Sequence, residues 1–153
     1  MAIEYETLTP DEFDAVVTGE LTHYAILFEN RINDFLVSYL GILKSRSDIF
    51  KRLFLYRDDL RLQDKIEITK AVIRHHSAYL KQPGPKSIDV DRALRLLKEV
   101  ETFKAVRNAL AHGLSVRKSE EEDTPTLHVE IITRSGKENQ FQITPTSHRA
   151  DLQ

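Results

Sequence analysis

The sequence predicts a mainly α-helical fold that ends in a small β-hairpin. Over most of the chain, apolar residues recur at steps of three and four, as they do in amphipathic helices. After residue 126 the pattern changes to an alternation of apolar and polar residues, which is typical of strands. The 153 residues have the length of one ordinary domain. We therefore expect a single domain, with a helical bundle over 1–117, an acidic linker over 118–126 and the hairpin over 127–145.

The first helix is predicted from a capping signal at Thr9–Glu12. Its threonine can cap a helix, its proline fits the first helical position, and its glutamate completes a capping box. We expect a short helix that reaches about Val17 and is interrupted at Gly19. A second, long amphipathic helix is expected over Glu20–Leu43, because its apolar residues keep a helical period.

Two further helices are expected in the middle of the chain. Asp48 can cap a short helix that ends near Leu55. Apolar residues then mark another helix over Leu62–Leu80. The two prolines and the glycine of Lys81–Lys86 predict a loop after it, since proline cannot continue a helix.

The last long helix is expected to restart at Ser87 or Asp89 and to end at Gly113, a plausible C-cap. Its apolar face should point to the core and comprises Ala93, Leu96, Leu97, Val100, Phe103, Val106 and Leu110. The hairpin then turns at Ser135–Lys137. Its alternating apolar residues are Leu127, Val129 and Ile131 before the turn and Phe141 and Ile143 after it. Two strands alone are marginal, so we expect the hairpin to pack on the helices.

Composition excludes several classes of protein. Cysteine is absent, which excludes disulfides, thiolate-ligated metals and a thiol nucleophile. The acidic N-terminus and the lack of a long apolar run predict a cytoplasmic protein with no membrane partner. The net charge of −2 is not that of a constitutive nucleic-acid binder, which carries a large excess of positive charge.

A local run of basic residues is interpreted as a solvated helical face rather than a phosphate-binding patch. It comprises Lys44, Arg46, Lys51, Arg52, Arg57 and Arg61.

Metal and cofactor sites are not expected. His75 and His76 diverge by about 100° on a helix and cannot chelate one ion together. A Gly-rich phosphate loop and a GxSxG motif are both absent from the sequence. The aromatic residues at helical spacing are interpreted as core, because no basic residues interleave with them as a base-stacking platform would require.

Polar residues with catalytic potential lie on the last long helix. Lys104, Asn108 and His112 form an i, i+4, i+8 stripe, and Arg107 lies about 140° round from His112. The small Ala111 leaves the space between guanidinium and imidazole open. An imidazole can shuttle protons near neutral pH, a guanidinium can stabilise charge on phosphate, and an amide can orient a group. These residue types suit metal-independent phosphodiester cleavage. Because RNA transesterification needs both a base and an acid, a two-fold dimer would supply two histidines.

The segment Arg107–Gly113 resembles the signature of the HEPN superfamily, the higher eukaryotes and prokaryotes nucleotide-binding domains. In that signature an arginine and a polar residue precede a histidine, and here four residues separate Arg107 from His112. The chain is similar, more distantly, to proteins related to the mannitol operon repressor. The resemblance implies a helical bundle that dimerises through this helix and, in active members, a metal-independent endoribonuclease that leaves 2′,3′-cyclic phosphate ends.

The resemblance also implies roles by position. Arg107 would stabilise phosphate, Asn108 would position the substrate, and His112 would act as general acid or base. Some of these ribonucleases have an upstream glutamate and lysine, for which Glu101 and Lys104 are the nearby candidates in substrate binding.

Two functional hypotheses follow. The first is a homodimeric HEPN-like endoribonuclease acting on RNA in a toxin-antitoxin or phage-defence setting, with an antitoxin as a further partner. The alternative is a non-catalytic HEPN-like dimer with an interaction or transcription-regulatory role, in which the hairpin engages a partner protein. An open groove at His112 would favour cleavage, whereas a carboxylate engaged with Arg107 would favour the structural role.

Overall fold

Helices dominate the described chain, and a small sheet lies between the last two of them in sequence. The structure, a computed structural model, describes residues 3–77, 89–112, 116–119, 124–132 and 138–151. Within these ranges the helices are α1 (Pro10–Tyr39), α2 (Lys44–Phe50), α3 (Leu62–His75), α4 (Val90–His112) and α5 (Pro145–Asp151). A 3₁₀ turn covers Tyr5–Thr7, a π-helical turn over Lys51–Leu55 continues α2, and the strands are β1 (Val116–Ser119), β2 (Thr126–Ile132) and β3 (Glu138–Ile143). The prediction of a mainly α fold with a C-terminal hairpin is confirmed.

The predicted start of α1 is confirmed, but its predicted interruption is wrong. The Thr9 backbone N–H donates to a Glu12 carboxylate oxygen at 2.9 Å, and the Glu12 N–H donates to the Thr9 hydroxyl at 3.3 Å. The helix then continues through Gly19. One glycine costs a helix only about 1 kcal/mol. Phe13 and Leu21, on either side of Gly19, are buried in the same core cluster, and this packing offsets the cost.

A glycine in the left-handed conformation ends α1. Gly41 has a φ of 66°. The Ile42 N–H donates to the Val37 carbonyl, and the Gly41 N–H donates to the Ser38 carbonyl, both at 3.1 Å. These two bonds form a Schellman motif, which satisfies carbonyl groups that the helix itself leaves unpaired.

Alanine substitutions at Gly19, inside α1, and at Gly41, at its C-terminal cap, are expected to change the stability of the protein in opposite directions. A Cβ at Gly19 or Gly41 would meet nothing within 4 Å, so only backbone conformation is tested. Gly41→Ala should lower the free energy of unfolding by about 1 kcal/mol, because alanine resists positive φ. Gly19→Ala should raise it by about 0.5–1 kcal/mol, because the site is inside a helix. Urea unfolding of both variants checks this, and changes of the same sign would contradict it.

Helix boundaries further along the chain agree only in part with the prediction. Helix α2 begins at Lys44, so Asp48 lies inside the helix rather than at its cap. Asp89 does cap α4, since the Arg92 N–H donates to its carboxylate at 3.0 Å. Four predicted features lie outside the described residues: Leu80, the loop Lys81–Lys86, Ser87 and Gly113.

The strands β1, β2 and β3 form an antiparallel sheet in that order. Val129 lies opposite Phe141, and Leu127 lies opposite Ile143. Leu127 and Val129 are buried while His128 is exposed, as the alternation predicts. The predicted turn at Ser135–Lys137 lies outside the described residues.

Strand β1 was not predicted. It reaches into the predicted acidic linker, and Val116 pairs with Val129 of β2. The sequence Val-Arg-Lys-Ser of this strand contains a single apolar residue, so no alternation reveals it. Pairing with the strongly patterned β2 provides the backbone hydrogen bonds that a strand of low intrinsic propensity needs.

The C-terminal helix α5 was not predicted either. The Thr144 N–H donates to the Ser147 hydroxyl at 2.9 Å, and the Ser147 N–H donates to the Thr144 hydroxyl at 3.2 Å. Pro145 occupies the first helical position. This Thr-Pro start repeats the signal that precedes α1, so the sequence did contain the information.

The chain divides into two units, each with its own core. One unit combines Met1–Tyr24 with Phe103–Gln153, and the other is the continuous segment Ala25–Thr102. The core of the first comprises Tyr5, Phe13, Val17, Leu21, Leu110, Leu127, Val129 and Ile143. The core of the second comprises Ile32, Leu36, Val37, Leu55, Ile66, Ile73, Val90 and Leu97.

Some apolar residues that were predicted to face a core are exposed instead. Leu96 is 50% exposed, and the aromatic residues Phe54 and Tyr56 are 55% and 52% exposed. Each of them is a sequence neighbour of a buried leucine, Leu97 or Leu55. Successive helical residues point about 100° apart, so burying the leucine turns its neighbour towards solvent.

Candidate functional site

The C-terminal part of α4 carries most of the predicted site residues. Because α4 is continuous to His112, the residues Lys104, Asn108 and His112 lie on one face at successive turns. Arg107 precedes His112 by about 7–8 Å along the helix axis. These four residues belong to the same unit of the chain.

Apolar residues on the opposite face fix this part of α4. Leu110 is 5% exposed, and Phe103 and Val106 pack against the same cluster. Phe13 of α1 and Leu127 of β2, both fully buried, belong to that cluster. Burial of each large apolar side chain stabilises the fold by about 1.5–3 kcal/mol. The direction of the polar face is therefore fixed by the core.

Arg107 borders the apolar face and is half-buried. Its Nε atom is buried and has no hydrogen-bond partner among the residues that the structure describes. A buried donor without a partner costs about 1–3 kcal/mol, so such groups are uncommon in proteins. A bound anion with acceptor oxygens could relieve this cost, and a phosphodiester is such an anion.

The other residues of this face differ in exposure. His112 is the last residue of α4 and is exposed, as is Ala111. Asn108 is half-buried. Lys104 is also half-buried, and it is not free of partners. The helix thus carries an exposed imidazole, a half-buried amide and, about 140° round the helix from the imidazole, a half-buried guanidinium.

Glu101 belongs to the other unit and is engaged by α3. Lys70 Nζ donates to Glu101 Oε2 at 2.7 Å, and Gln63 Nε2 donates to Glu101 Oε1 at 2.8 Å. Burial raises the pKa of this carboxyl, but the hydrogen bonds from Lys70 and Gln63 outweigh it and hold the pKa below the ordinary 4.5. Through these contacts Glu101 links α4 to α3.

Glu101→Gln is expected to destabilise the protein at neutral pH and not in acid. A carboxyl whose pKa is lowered by folding contributes stability above its ordinary pKa, and this contribution is lost as pH falls through the lowered pKa. The stability difference between wild type and variant should therefore shrink from about pH 6 to about pH 3. Urea unfolding across this range checks it. The exposed Glu99 is the matched control, and an equal effect of Glu99→Gln would contradict the prediction.

No protein-family model, curated protein or solved structure matches this chain. The resemblance of Arg107–Gly113 to the HEPN signature therefore rests on those residues. Membership of the HEPN superfamily stays a prediction. What the site can do chemically is argued from the side chains of Arg107, Asn108 and His112.

A polar cluster that sequence reasoning missed lies in the same unit as the site. The Tyr5 hydroxyl donates to Glu20 Oε1 at 2.9 Å, and His148 Nε2 lies 2.6 Å from Glu20 Oε2. His148 is 1% exposed, so the cluster connects α5 and the N-terminal segment to α1 rather than facing a ligand. Burial, and then the bond to Glu20, raises the pKa of Tyr5 above its ordinary value. No sequence signal could have paired Glu20 with His148, which follows it by 128 positions.

Neither a metal-holding group of side chains nor a membrane-crossing helix is present in the described ranges. No three His, Asp or Glu side chains there come together as they would to hold a metal ion. His75 and His76 are exposed on α3 and just beyond it. Within the same ranges no helix is both long enough and apolar enough to cross a membrane.

Proposed function

We propose that this chain is a metal-independent endoribonuclease whose active site consists of Arg107, Asn108 and His112. The observation that carries the proposal is the buried Nε of Arg107, which no described residue satisfies. No carboxylate in the described chain pairs with this guanidinium, which favours anion binding over a structural ion pair. The exposed His112, on the same helix, is accessible to a large substrate such as RNA.

The proposed reaction is transesterification within the RNA backbone. The ribose 2′-oxygen attacks phosphorus and loses its proton to one imidazole, while the bond from phosphorus to the 5′-oxygen breaks. A second imidazole, in its protonated form, gives a proton to the departing 5′-oxygen. The products are a 2′,3′-cyclic phosphate and a 5′-hydroxyl. Arg107 stabilises the extra negative charge on phosphate, and Asn108 orients the reacting group.

A homodimer supplies the second imidazole. Each chain contributes one histidine from the end of α4, whereas the reaction uses a base and an acid. Two copies related by a two-fold axis place equivalent surfaces against each other, so two α4 helices can line one groove. A dimer also doubles the number of arginines at the phosphate.

The experiment is cleavage of an end-labelled RNA pool in excess EDTA. Wild type should leave 2′,3′-cyclic phosphate ends, and Arg107→Gln should cleave about 10²-fold more slowly, because the variant keeps a polar side chain but loses the charge. Arg95→Gln is the matched control, since Arg95 is exposed on the same helix. Equal rates for both variants and wild type would contradict the proposed role of Arg107.

A second candidate function is a non-catalytic dimer that regulates transcription or binds a partner protein. The net charge of −2 favours it, because strong RNA binding usually needs a positive surface. RNA that stays intact with wild type at high concentration would establish this second function as the better one. For the nuclease, a cytoplasmic setting in toxin-antitoxin or phage-defence systems fits the resemblance, with an antitoxin that controls its activity.

A further inference from the structure

A solvent-exposed surface of cationic and apolar residues lies between positions 40 and 57. We call it the cationic-apolar surface, and all of it belongs to the unit Ala25–Thr102. Six large apolar side chains on it are each more than half exposed, namely Leu40, Leu43, Ile49, Leu53, Phe54 and Tyr56. Apolar side chains that are exposed together, with polar residues around them, mark interaction sites.

Unpaired cations stand among these apolar side chains. Lys44, Arg46 and Arg52 are exposed, and no ion pair joins them to any residue in the described ranges. Two other cations are already neutralised, since Lys51 pairs with Asp34 at 2.7 Å and Arg57 with Asp59 at 2.7 Å. The surface therefore offers free positive charge beside apolar area.

Arg46 lies on one face with two of the apolar residues, and Arg52 directly precedes the second of them in the chain. Arg46, Ile49 and Leu53 follow each other at steps of three and four, so they lie on successive turns of α2 and the π-helical turn. Beneath them, Leu55 is 5% exposed and Phe50 packs against the core. The Phe50 and Phe54 rings are stacked with their centroids 5.0 Å apart. The surface is thus held in place before any partner arrives.

We infer that the cationic-apolar surface docks an acidic amphipathic helix of a partner protein. Carboxylates of such a helix would pair with Arg46 and Arg52, and guanidinium groups bind carboxylates in a bidentate manner. Its apolar side chains, at i, i+3, i+4 and i+7, would cover Ile49 and Leu53. Arg57 shows this bidentate geometry within the chain, where its Nε and one terminal nitrogen donate to the two oxygens of Asp59.

Other occupants fit this surface less well. A second copy related by a two-fold axis would bring the same unpaired cations towards each other. RNA would neutralise the cations but leave four aliphatic side chains exposed to water. A mixed acidic and apolar helix satisfies both kinds of group.

The test is a selection from a displayed library of random peptides of about 15 residues, or roughly four helical turns. The full chain is the bait, and Arg46→Gln/Arg52→Gln serves for counter-selection. We expect enriched peptides to place Asp or Glu beside Leu, Ile or Phe at helical spacing. Binding of the best synthetic peptide, measured by fluorescence anisotropy, should weaken about tenfold or more in the double variant and in Leu53→Ser.

Arg95→Gln/Leu96→Ser is the matched control, because both residues are exposed on α4 outside the surface. It should bind the peptide as wild type does, and circular dichroism should show that every variant is folded. Enriched peptides without acidic residues, or equal losses in the control, would overturn the inference. The inference would also be overturned by a different occupant. This would be the outcome if no acidic peptide bound while binding of phosphatidylserine vesicles, binding of oligouridylate or self-association of the chain depended on Arg46, Arg52 and Leu53.

Discussion

Replacing His112 by alanine is expected to slow RNA cleavage in EDTA by about 10²–10⁴-fold. Of the three proposed active-site residues, only the imidazole can both accept and donate a proton near neutral pH. Because His112 is exposed at the end of α4, its removal leaves no cavity in a core. The free energy of unfolding should change by less than about 0.5 kcal/mol. Single-turnover cleavage and urea unfolding of the same preparations separate the two effects.

His128 provides the control for this experiment. It is also an exposed histidine of the same unit, but it lies on β2. His128→Ala should cleave RNA at the wild-type rate if proton transfer depends on α4. Equal rates for His112→Ala, His128→Ala and wild type would remove His112 from the mechanism. The pH dependence of the wild-type rate should be bell-shaped, since one imidazole must be neutral and the other protonated.

Glu29→Gln is expected to lower the free energy of unfolding by about 3 kcal/mol. Glu29 of α1 forms an ion pair with Lys65 of α3, and the Lys65 side chain is 1% exposed. Losing the carboxylate leaves a buried ammonium without its counter-charge, which costs several kcal/mol. We place the effect at the lower end of that range, because the Glu29 side chain is 36% exposed and water can reach this end of the pair.

Removing the lysine should be far less costly than removing the glutamate. In Lys65→Met an apolar chain of similar length occupies the buried position, and the remaining Glu29 carboxylate can turn to solvent. We expect the free energy of unfolding of Lys65→Met, alone or combined with Glu29→Gln, to lie within about 1 kcal/mol of the wild-type value. Equilibrium urea unfolding of the single and double variants completes the cycle. Equal losses for both single variants would show that the pair itself, and not the buried charge, determines stability.

The sequence predicted those parts of the fold that depend on local chemistry. Three such features are each encoded by a few neighbouring residues: the Thr9–Glu12 capping box, the Asp89 cap and the alternation of β2. Gly19 was misjudged because a cost of about 1 kcal/mol is outweighed by the burial of its helix. Strand β1 escaped because its pairing partner, and not its own pattern, makes it a strand.

The candidate site was predictable to the extent that it lies on one helix. Helical spacing alone places Asn108 and His112 on one face, and α4 has this spacing. The partners of Glu101 could not be read in the same way, because Gln63 and Lys70 belong to α3. Phe54 and Tyr56 are exposed because the leucine between them, Leu55, is buried. Which of these neighbouring residues is buried depends on packing between helices, which the local sequence does not show.

The discontinuity of one unit has a consequence for the order in which the chain folds during synthesis. Ala25–Thr102 is complete as soon as one continuous stretch has left the ribosome. The other unit joins the first 24 residues to the last 51, and Glu20 must wait for His148 near the C-terminus. At about 5–20 residues per second, the apolar side chains of Phe13, Val17 and Leu21 therefore remain uncovered for several seconds. Chains interrupted before Leu110 of α4 would lack the later members of this cluster, and would thus be targets for chaperones and proteases.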